Sequence, residues 1–354
     1  AKDLCSISTG KSNTQDRVDD GIYPFYVRSP IVEHSNRYLF DEEAVLTVGD
    51  GVGTGKVFHY VNGKYDLHQR VYRMFDFSEE ITAKYFYYYF SNHFYDRVMA
   101  MTAKTSVDSV RYEMIADMDI ALPKVKEQMA ISDYFERLDN LITLHQRKYE
   151  KLHNIKKSML EKMFPKNGSN VPEIRFKGFT EAWEQRKLGE VGETYTGLSG
   201  KSKDDFGHGS GKFITYMNVF SNPVASPNMT EAIEIDDSQN KVRFGDVLFT
   251  TSSETPDEVG MSSVWLENAE NTYLNSFCFG YRPTAEFNPY YLAYMLRSSS
   301  MRKKITFLAQ GISRYNISKN KMMDIEMPIP SIDEQKQIGE YFANLDNLIT
   351  LHQR

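Results

Sequence analysis

The longest periodic pattern of apolar residues in this chain has the alternating four-three spacing of a coiled coil. Apolar side chains recur in this pattern from Ile131 onward, until Pro165 and Gly168 interrupt it. The spacing places one apolar stripe along a helix and predicts a single helix over residues 124–164. At about 1.5 Å per residue, such a helix is roughly 60 Å long.

The end of the chain repeats the first part of this helix. Residues 138–147 and 345–354 are both LDNLITLHQR, and the 24-residue segments that end there share 15 identical positions. This similarity indicates a duplication. His145 and His352 lie on the apolar stripes, where a packed or capped imidazole is a simpler interpretation than a catalytic one. The residues expected to form the coiled-coil seam, which the family resemblance described below also implies for subunit docking, are Ile131, Phe135, Leu138, Ile142, Tyr149, Leu152, Ile338, Phe342, Leu345 and Ile349.

The segments before the two helices show strand patterns and match each other only weakly. Alternating apolar and polar residues predict strands at 44–48, 56–61, 247–251 and 262–266. Short similarities recur in the same order in both segments, so each repeat is a variable globule followed by a nearly constant helix. We therefore expect an α+β fold with two β-rich globules, long helices between them and an internal pseudo-two-fold repeat. The expected divisions are 1–123, 124–170, 171–330 and 331–354.

Composition excludes several classes of protein. The chain has 354 residues, with 41% hydrophobic and 25% charged, which is typical of globular domains. No apolar run reaches the length of a membrane span, so we expect a cytoplasmic protein without a membrane partner. Only Cys5 and Cys278 are present, which gives neither a disulfide framework nor a sulfur-ligated metal site. The net charge of −6 argues weakly against nucleic acid, but it averages over all faces of the molecule.

Motif searches find no catalytic site. The sequence GDGVGTGK, residues 49–56, resembles a phosphate-binding loop, but Asp50 stands where the first Gly is needed and Val57 where Ser or Thr is needed. It also fails the Gly-x-Gly-x-x-Gly pattern, so we interpret it as a glycine turn between two strands. The sequence FNPYYL, residues 287–292, lacks the second proline of adenine methyltransferases and is interpreted as a helix start.

Basic residues concentrate in two runs. Residues 297–321 include seven Lys or Arg and no acid, interleaved with aromatic and amide side chains, a mixture that suits phosphate contacts and base-edge readout. The run 147–166 is interpreted as the solvated face of the long helix. The residues expected to contact DNA are Lys11, Ser12, Asn13, Gly51, Gly53, Lys56, His68, Gln69, Arg70, Lys104, Ser106, Lys201, Lys203, Ser252, Ser253, Asn275, Arg302, Lys303, Lys304, Arg314, Tyr315 and Asn316.

These features together resemble the specificity (S) subunit of bacterial Type I restriction-modification systems. The resemblance rests on the paired EQ..I..YF..LDNLITLHQR helices, on MLEKMFP after the first of them, on FKGFTEAWEQRKLGE and on GDVLFT. It covers essentially the whole chain. Compared with that family, both ends of the sequence are expected to be trimmed.

The resemblance implies a non-catalytic, DNA-binding protein. In that family each globule is a target recognition domain that reads one half of a split double-stranded DNA site, and the helices form an antiparallel coiled coil that spaces the two globules. The helices also dock two modification subunits, which carry the methyltransferase chemistry and bind S-adenosylmethionine, and restriction subunits join the complex. We therefore expect this chain itself to bind no cofactor and no metal.

Two other interpretations stay open. The chain is alternatively a coiled-coil adaptor whose globules bind protein instead of DNA. Salt-dependent DNA binding separates these two, because contacts to phosphate release counterions. A self-sufficient methyltransferase is a third interpretation, but the sequence offers no loop to bind the cofactor.

Overall fold

A computed structural model describes residues 1–51, 53–101, 109–166 and 168–353. By their contacts these residues form two compact units, Ala1–Leu144 and His145–Arg354. The division falls inside one long helix, Val125–Lys162, which agrees with the helix predicted for 124–164. The four-part division of the sequence stays a prediction. The structure groups the chain differently because each part of the long helix packs with the globule beside it.

Unit 1 contains one six-stranded sheet, two shorter helices and the first part of the long helix. Its strands are β1 (Ser6–Thr9), β2 (Tyr23–Tyr26), β3 (Val32–Ser35), β4 (Phe40–Val48), β5 (Phe58–Leu67) and β6 (Val71–Phe75). Its helices are α1 (Ala83–Ala100), α2 (Tyr112–Ala116) and the start of α3 (Val125–Lys162). The strand order is β1-β6-β4-β5-β2-β3, in which β2 and β5 run parallel and the other neighbours run antiparallel.

The core of unit 1 is aromatic. Phe86, Phe90 and Phe94 recur at four-residue steps on one face of α1 and are fully buried. The rings of Phe90 and Phe94 stack at 4.3 Å, and Phe58 of β5 packs edge-on against both. This spacing explains why the segment is a helix, since it places all three rings on the side that faces the sheet.

Unit 2 has more and shorter strands. They are β7 (Glu184–Lys187), β8 (Gly192–Thr196), β9 (Phe206–Ile214), β10 (Thr230–Ile233), β11 (Val247–Thr250), β12 (Ser252–Ser253), β13 (Ser262–Val264), β14 (Thr272–Leu274), β15 (Cys278–Pro283), β16 (Tyr315–Asn316) and β17 (Glu326–Ile329). Besides the end of α3, the helices are α4 (Tyr216–Ser221), α5 (Pro289–Met295), α6 (Ser299–Thr306), α7 (Lys319–Met323) and α8 (Ile332–Gln353). Asn288 caps α5, whose first residue is Pro289, as predicted for FNPYYL.

The two units repeat one topology. In unit 2 the order β8-β15-β11-β13 forms one sheet and β14-β9-β10 another, with β9 and β14 parallel. This is the strand order of unit 1, except that the long strand β5 is replaced by β13 and β14. The predicted α+β fold with an internal repeat is confirmed.

The end of α3 and helix α8 pack antiparallel within unit 2. His145 faces His352 with their Nδ1 atoms 3.1 Å apart, the Gln353 amide donates to the Tyr149 hydroxyl at 3.1 Å, and the rings of Phe164 and Phe342 stack. Lys156 and Asp346 form an ion pair between these contacts. Within this unit, the helices have the antiparallel arrangement that the resemblance implied.

A glutamine anchors each repeated helix to the globule before it. The Gln128 side chain accepts the N–H of Thr82, which caps α1, and donates to the carbonyl of Pro123. Gln335 accepts the N–H of Asn288 and donates to the carbonyl of Pro330 in the same way. These bonds satisfy buried polar groups where two helices begin, which explains why both repeats have a glutamine at this position.

The predicted seam is buried in only one of the two repeats. Ile338, Phe342, Leu345 and Ile349 of α8 are buried. Their counterparts from the first repeat differ: Phe135, Leu138 and Ile142 are exposed, and Ile131 is partly buried. The start of α3 contacts α1 along one side, through Lys84–Glu136, Tyr88–Asp139 and the rings of Tyr88 and Phe135. The predicted seam residues of the first repeat are therefore available at the surface of this chain, and their role in docking other subunits stays a prediction.

Candidate nucleic-acid interface

Backbone hydrogen bonds gather several connecting segments of unit 1 around the turn at residues 68–70. Lys11 N donates to Leu67 O, Gln69 N to Ser12 O, His68 N to Tyr26 O and Gly49 N to Arg70 O. Val110 N donates to Gly49 O. We call residues 10–13, 26–28, 49–51, 68–70 and 109–110 loop cluster 1.

Four of these five bonds recur around the turn at residues 275–277 in unit 2. Leu198 N donates to Leu274 O, Asn275 N to Ile214 O and Thr251 N to Phe277 O. Ile317 N donates to Thr251 O, as Val110 N does to Gly49 O. We call residues 197–198, 214–216, 251–253, 275–277 and 316–317 loop cluster 2.

A glycine at the same place explains how each cluster closes. A Cβ atom on Gly10 would lie 2.1 Å from the carbonyl oxygen of Leu67, and one on Gly197 would lie 2.2 Å from that of Asn275. Any other residue would push the first strand away from the turn. The glycine of the Thr-Gly dipeptide in each repeat is thus required for the first strand to pack against the turn.

Charged side chains surround the turn of loop cluster 1. Asp50 Oδ1 lies 3.4 Å from Arg28 Nη1, and Asp50 Oδ2 lies 3.8 Å from Arg70 Nε. The amide of Gln69 donates to Asn13 Oδ1 at 2.5 Å. Burial, followed by the positive charge of Arg28, lowers the pKa of His68 below its usual value. Cations, amides and a carboxylate therefore share one exposed surface.

Loop cluster 2 carries mostly uncharged groups on the same frame. Tyr315 and Asn316 pair with Ser253 and Ser252, and Gln310 exchanges backbone bonds with Asn316. Arg314 lies over the ring of Phe277 at 5.9 Å. Amide and aromatic side chains here suit base contacts, with one arginine beside them.

The glycine-rich turn at 49–56 uses its N–H groups internally. Thr54 N donates to Gly51 O, and both Lys56 N and Val57 N donate to Gly53 O. The ammonium of Lys56 lies 4.5 Å from the centre of the Tyr95 ring. A phosphate-binding loop needs such N–H groups to point at the ligand, so the described part of this turn has a different geometry.

Part of the basic run 297–321 is structural. The Arg302 guanidinium donates to the carbonyls of Asp257, Val259 and Gly260, and burial lowers its pKa to about 10. Lys304 donates to the carbonyl of Glu326 at 2.7 Å. The prediction that Arg302 contacts phosphate is wrong, because its guanidinium is largely buried against three backbone oxygens. Lys304 uses one of its three N–H donors in this way, so a phosphate contact there stays a prediction. Lys303 is exposed.

Other predicted contact residues are buried. Five of them are closed off from solvent: Ser12, His68, Ser252 and Ser253 within the loop clusters, and Gly53 within the glycine-rich turn. The Ser12 hydroxyl, for example, donates to buried Asp66 at 2.6 Å. These five residues are corrected from DNA contacts to structural positions.

The remaining predicted residues differ in accessibility. Lys201 is mostly buried and binds Asp236 at 2.7 Å, which lowers the pKa of that carboxyl. Lys104 and Ser106 lie outside the described residues. The exposed ones are Lys11, Asn13, Gly51, Lys56, Gln69, Arg70, Lys203, Lys303, Arg314 and Asn316, while Asn275 and Tyr315 are partly exposed.

Sequence reasoning missed Arg28, Arg37 and Phe277. Arg28 follows β2, and only the parallel pairing of β2 with β5 brings it to the turn at 68–70. The place of Phe277 beside Arg314 depends on the backbone bond between residues 277 and 251. Parallel pairing between distant strands leaves no local signal in a sequence.

The described residues contain no helix that is both long and apolar enough to cross a bilayer. They also contain no group of three His, Cys, Asp or Glu side chains arranged to hold a metal ion.

The chain belongs to the Type I restriction modification DNA specificity domain family, whose model matches residues 1–154 and 180–354. It is 23% identical over 371 residues to the type I restriction enzyme MjaVIII specificity subunit of Methanocaldococcus jannaschii, covering 95% of this chain and 82% of that protein. It is 25% identical to the MjaX specificity subunit of the same organism, with 76% and 63% covered.

Solved structures show the same fold. The Type-I restriction-modification system S subunit from M. genitalium matches 99% of this chain and 89% of its own, with a TM-score of 0.58 and 12% identity. A chain from a structure describing complex assembly and conformational transition of the type I R-M system gives a TM-score of 0.51 at 16% identity, with 99% and 90% covered. At these identities the likeness concerns the fold alone.

Proposed function

We propose that this chain is the sequence-specific DNA-binding subunit of a Type I restriction-modification complex. Each unit reads one half of a two-part site in double-stranded DNA through its loop cluster. The observation that carries this proposal is the repeated frame: four equivalent backbone bonds hold both clusters, while the side chains differ. Two units with the same backbone arrangement and different surface side chains are suited to bind two different base sequences.

The long helices connect the two readers and bind the other subunits in this proposal. The antiparallel packing of α3 on α8 supports a spacer role, and exposed Phe135, Leu138 and Ile142 offer an apolar face for two modification subunits. Methylation, cleavage and S-adenosylmethionine binding belong to the modification and restriction subunits. The complex acts on DNA in the cytoplasm.

The salt dependence of DNA binding distinguishes this proposal from the alternative, an adaptor that binds only proteins. Binding of the purified chain, alone and with its modification subunits, to labelled duplex DNA is measured between 50 and 300 mM salt. The proposal predicts that log K falls linearly with log salt, by close to one unit for each phosphate contact. DNA binding that is absent in both forms, or that does not respond to salt, favours the adaptor.

Calorimetry tests the assignment of the cofactor to the partners. We expect no heat of binding when S-adenosylmethionine or a nucleotide is added to the purified chain. Micromolar binding of either compound would overturn the non-catalytic assignment.

A further inference from the structure

Loop cluster 1 holds two arginines beside the two oxygens of one carboxylate. Asp50 lies 3.4 Å from Arg28 and 3.8 Å from Arg70, and the side chains of both arginines are exposed, by 46% and 66%. The backbone on each side is fixed, since Asp50 bridges Ser109 and Gly49 N donates to Arg70 O. The N–H groups of the two guanidiniums that do not face Asp50 therefore project from a defined position into solvent.

The turn itself fixes the backbone of Arg70. Its N–H donates to Nδ1 of the buried His68 ring at 3.0 Å. The lowered pKa of His68 agrees with this bond, because the acceptor nitrogen must be unprotonated. Arg70 is thus held at its backbone by His68 and at its side chain by Asp50.

A third arginine of unit 1 is held in a similar way. Arg37 Nη2 lies 2.9 Å from Asp16 and 3.1 Å from the Ser12 hydroxyl, and its Nε lies 3.6 Å from Asp66. Asp66 is completely buried, and its Oδ2 has no hydrogen-bond partner among the described residues. Carboxylate-held arginines are thus a recurring feature of this surface.

Loop cluster 2 replaces the arginine pair with uncharged residues at the equivalent positions. The shared backbone bonds align Arg28 with Tyr216, Asp50 with Ser252 and Arg70 with Phe277. In unit 2 the Tyr216 hydroxyl donates to the carbonyl of Ser252 at 2.7 Å. The arginine pair therefore belongs to unit 1 alone, and any base preference that it causes must affect only one half of the site.

We propose that unit 1 reads guanine in its half of the DNA site through Arg28 and Arg70, and that Asp50 is the positioning residue for both. This deepens the proposed function and rests on it. A guanidinium pairs bidentately with O6 and N7 of guanine, and this contact needs the planar group in one orientation. Asp50 supplies that orientation in the absence of DNA.

The carboxylate also argues against simple phosphate contacts. A negative charge between two arginines weakens their attraction to the DNA backbone, so it is unfavourable in a surface that only neutralises phosphate. In a surface that reads bases, the Asp50 carboxylate lowers non-specific affinity for DNA but improves discrimination between bases. Removal of Asp50 should raise non-specific affinity in either role, but it should lower discrimination between bases only if the arginines read bases.

The test uses the full chain with its modification subunits and a random duplex library. Wild-type protein and the variants Arg28→Lys, Arg70→Lys and Asp50→Asn each select duplexes, which are sequenced. Affinities are then measured for the selected site and for versions with 7-deazaguanine, which lacks the N7 acceptor. Arg17→Lys is the matched control, because Arg17 is also exposed and held by carboxylates, Asp19 and Glu33, outside loop cluster 1.

We expect guanine in one half-site and a loss of roughly 10-fold when N7 of that guanine is removed. Arg28→Lys or Arg70→Lys should keep non-specific affinity and lose this discrimination, since lysine keeps the charge but not the planar fork. Asp50→Asn should raise non-specific affinity and lower discrimination several-fold. The other half-site and the Arg17→Lys profile should not change.

Two results would overturn the inference while leaving the proposed function intact. These are a two-part site in which the lysine variants keep full discrimination, and an Asp50→Asn variant whose base preference equals that of wild type. If the wild-type complex instead selects no sequence at all, the proposed function itself fails.

Discussion

Arginine has two different roles in the second unit. Arg297 donates to the carbonyls of Ser262, Val219, Phe220 and Asn222, and Arg302 donates to three more carbonyls. These side chains tie irregular segments to the helices. Arg314 is exposed beside Phe277, where it can meet DNA. Charge in the sequence alone does not separate these roles, because both kinds of arginine occur in one basic run.

Arg302→Ala should destabilise unit 2 by about 2–3 kcal/mol, because charge-assisted bonds are lost and backbone carbonyls are left without a donor. Lys303→Ala is the matched control next to it and should change stability by less than about 0.5 kcal/mol. Urea denaturation of both variants provides the comparison. Equal stability of the two variants would show that Arg302 contributes no more to folding than an exposed lysine does.

His68 makes the first unit sensitive to acid. Because burial lowers its pKa in the folded protein, the unfolded chain binds a proton more readily as pH falls below about 6.5. The free energy of unfolding should therefore decrease as pH falls from about 6.5 toward the lowered pKa of the folded state. Above pH 7, His68 should not make stability depend on pH. Denaturation at several pH values should show a smaller decrease for His68→Gln than for wild type over this interval.

At the scale of elements, the two copies of LDNLITLHQR provide an internal comparison. Leu345 is buried with 7% of its surface exposed, whereas Leu138, in the identical decapeptide, is 36% exposed. The difference arises from what packs on each helix: α8 contacts α5 and the end of α3, while the start of α3 contacts α1 along one side. One sequence thus serves a packed helix and an exposed one.

Leu345→Lys should destabilise the protein by about 3 kcal/mol, since it removes a buried side chain and places a charge in the core. Leu138→Lys should cost less than about 1 kcal/mol because its site is already partly solvated. Urea denaturation separates the two.

The exposed copy should instead matter for assembly. We expect Leu138→Lys to keep its fold and to lose co-purification with the modification subunits, because a lysine on the apolar face opposes burial by a partner. A folded Leu138→Lys variant that retains these subunits would exclude this face as their docking site.

The elements with local signals were predictable from the sequence. The long helix, the strands at 44–48 and 247–251 and the helix start at Asn288 follow from period and capping. The resemblance to the specificity subunit family is confirmed by the family match. The arginine group around Asp50 was not predictable, because it depends on hydrogen bonds between residues far apart in the chain. Burial of Ser12 and His68 was missed for the same reason.

At the scale of the whole molecule, helix length should set the distance between the half-sites. Helix α3 has 38 residues, which is about 57 Å, and α8 has 22, about 33 Å. One turn of DNA is about 34–36 Å, so we expect half-sites roughly one turn apart from centre to centre.

A four-residue insertion near Lys148 should lengthen the unread spacer. Four residues add about 6 Å to a helix, which corresponds to about one or two base pairs. Sequencing of methylated sites in cells that carry this variant reports the spacer directly. A changed half-site with an unchanged spacer would contradict the role of the helix.

Exchange of residues 1–123 for the corresponding part of another family member tests the central claim of two independent readers most directly. Methylated sites are sequenced in cells that carry the wild-type or the exchanged chain together with the modification subunits. The account predicts that one half-site changes, and that the other half-site and the spacer stay as in wild type. Methylation in which both half-sites change, or neither does, would contradict it.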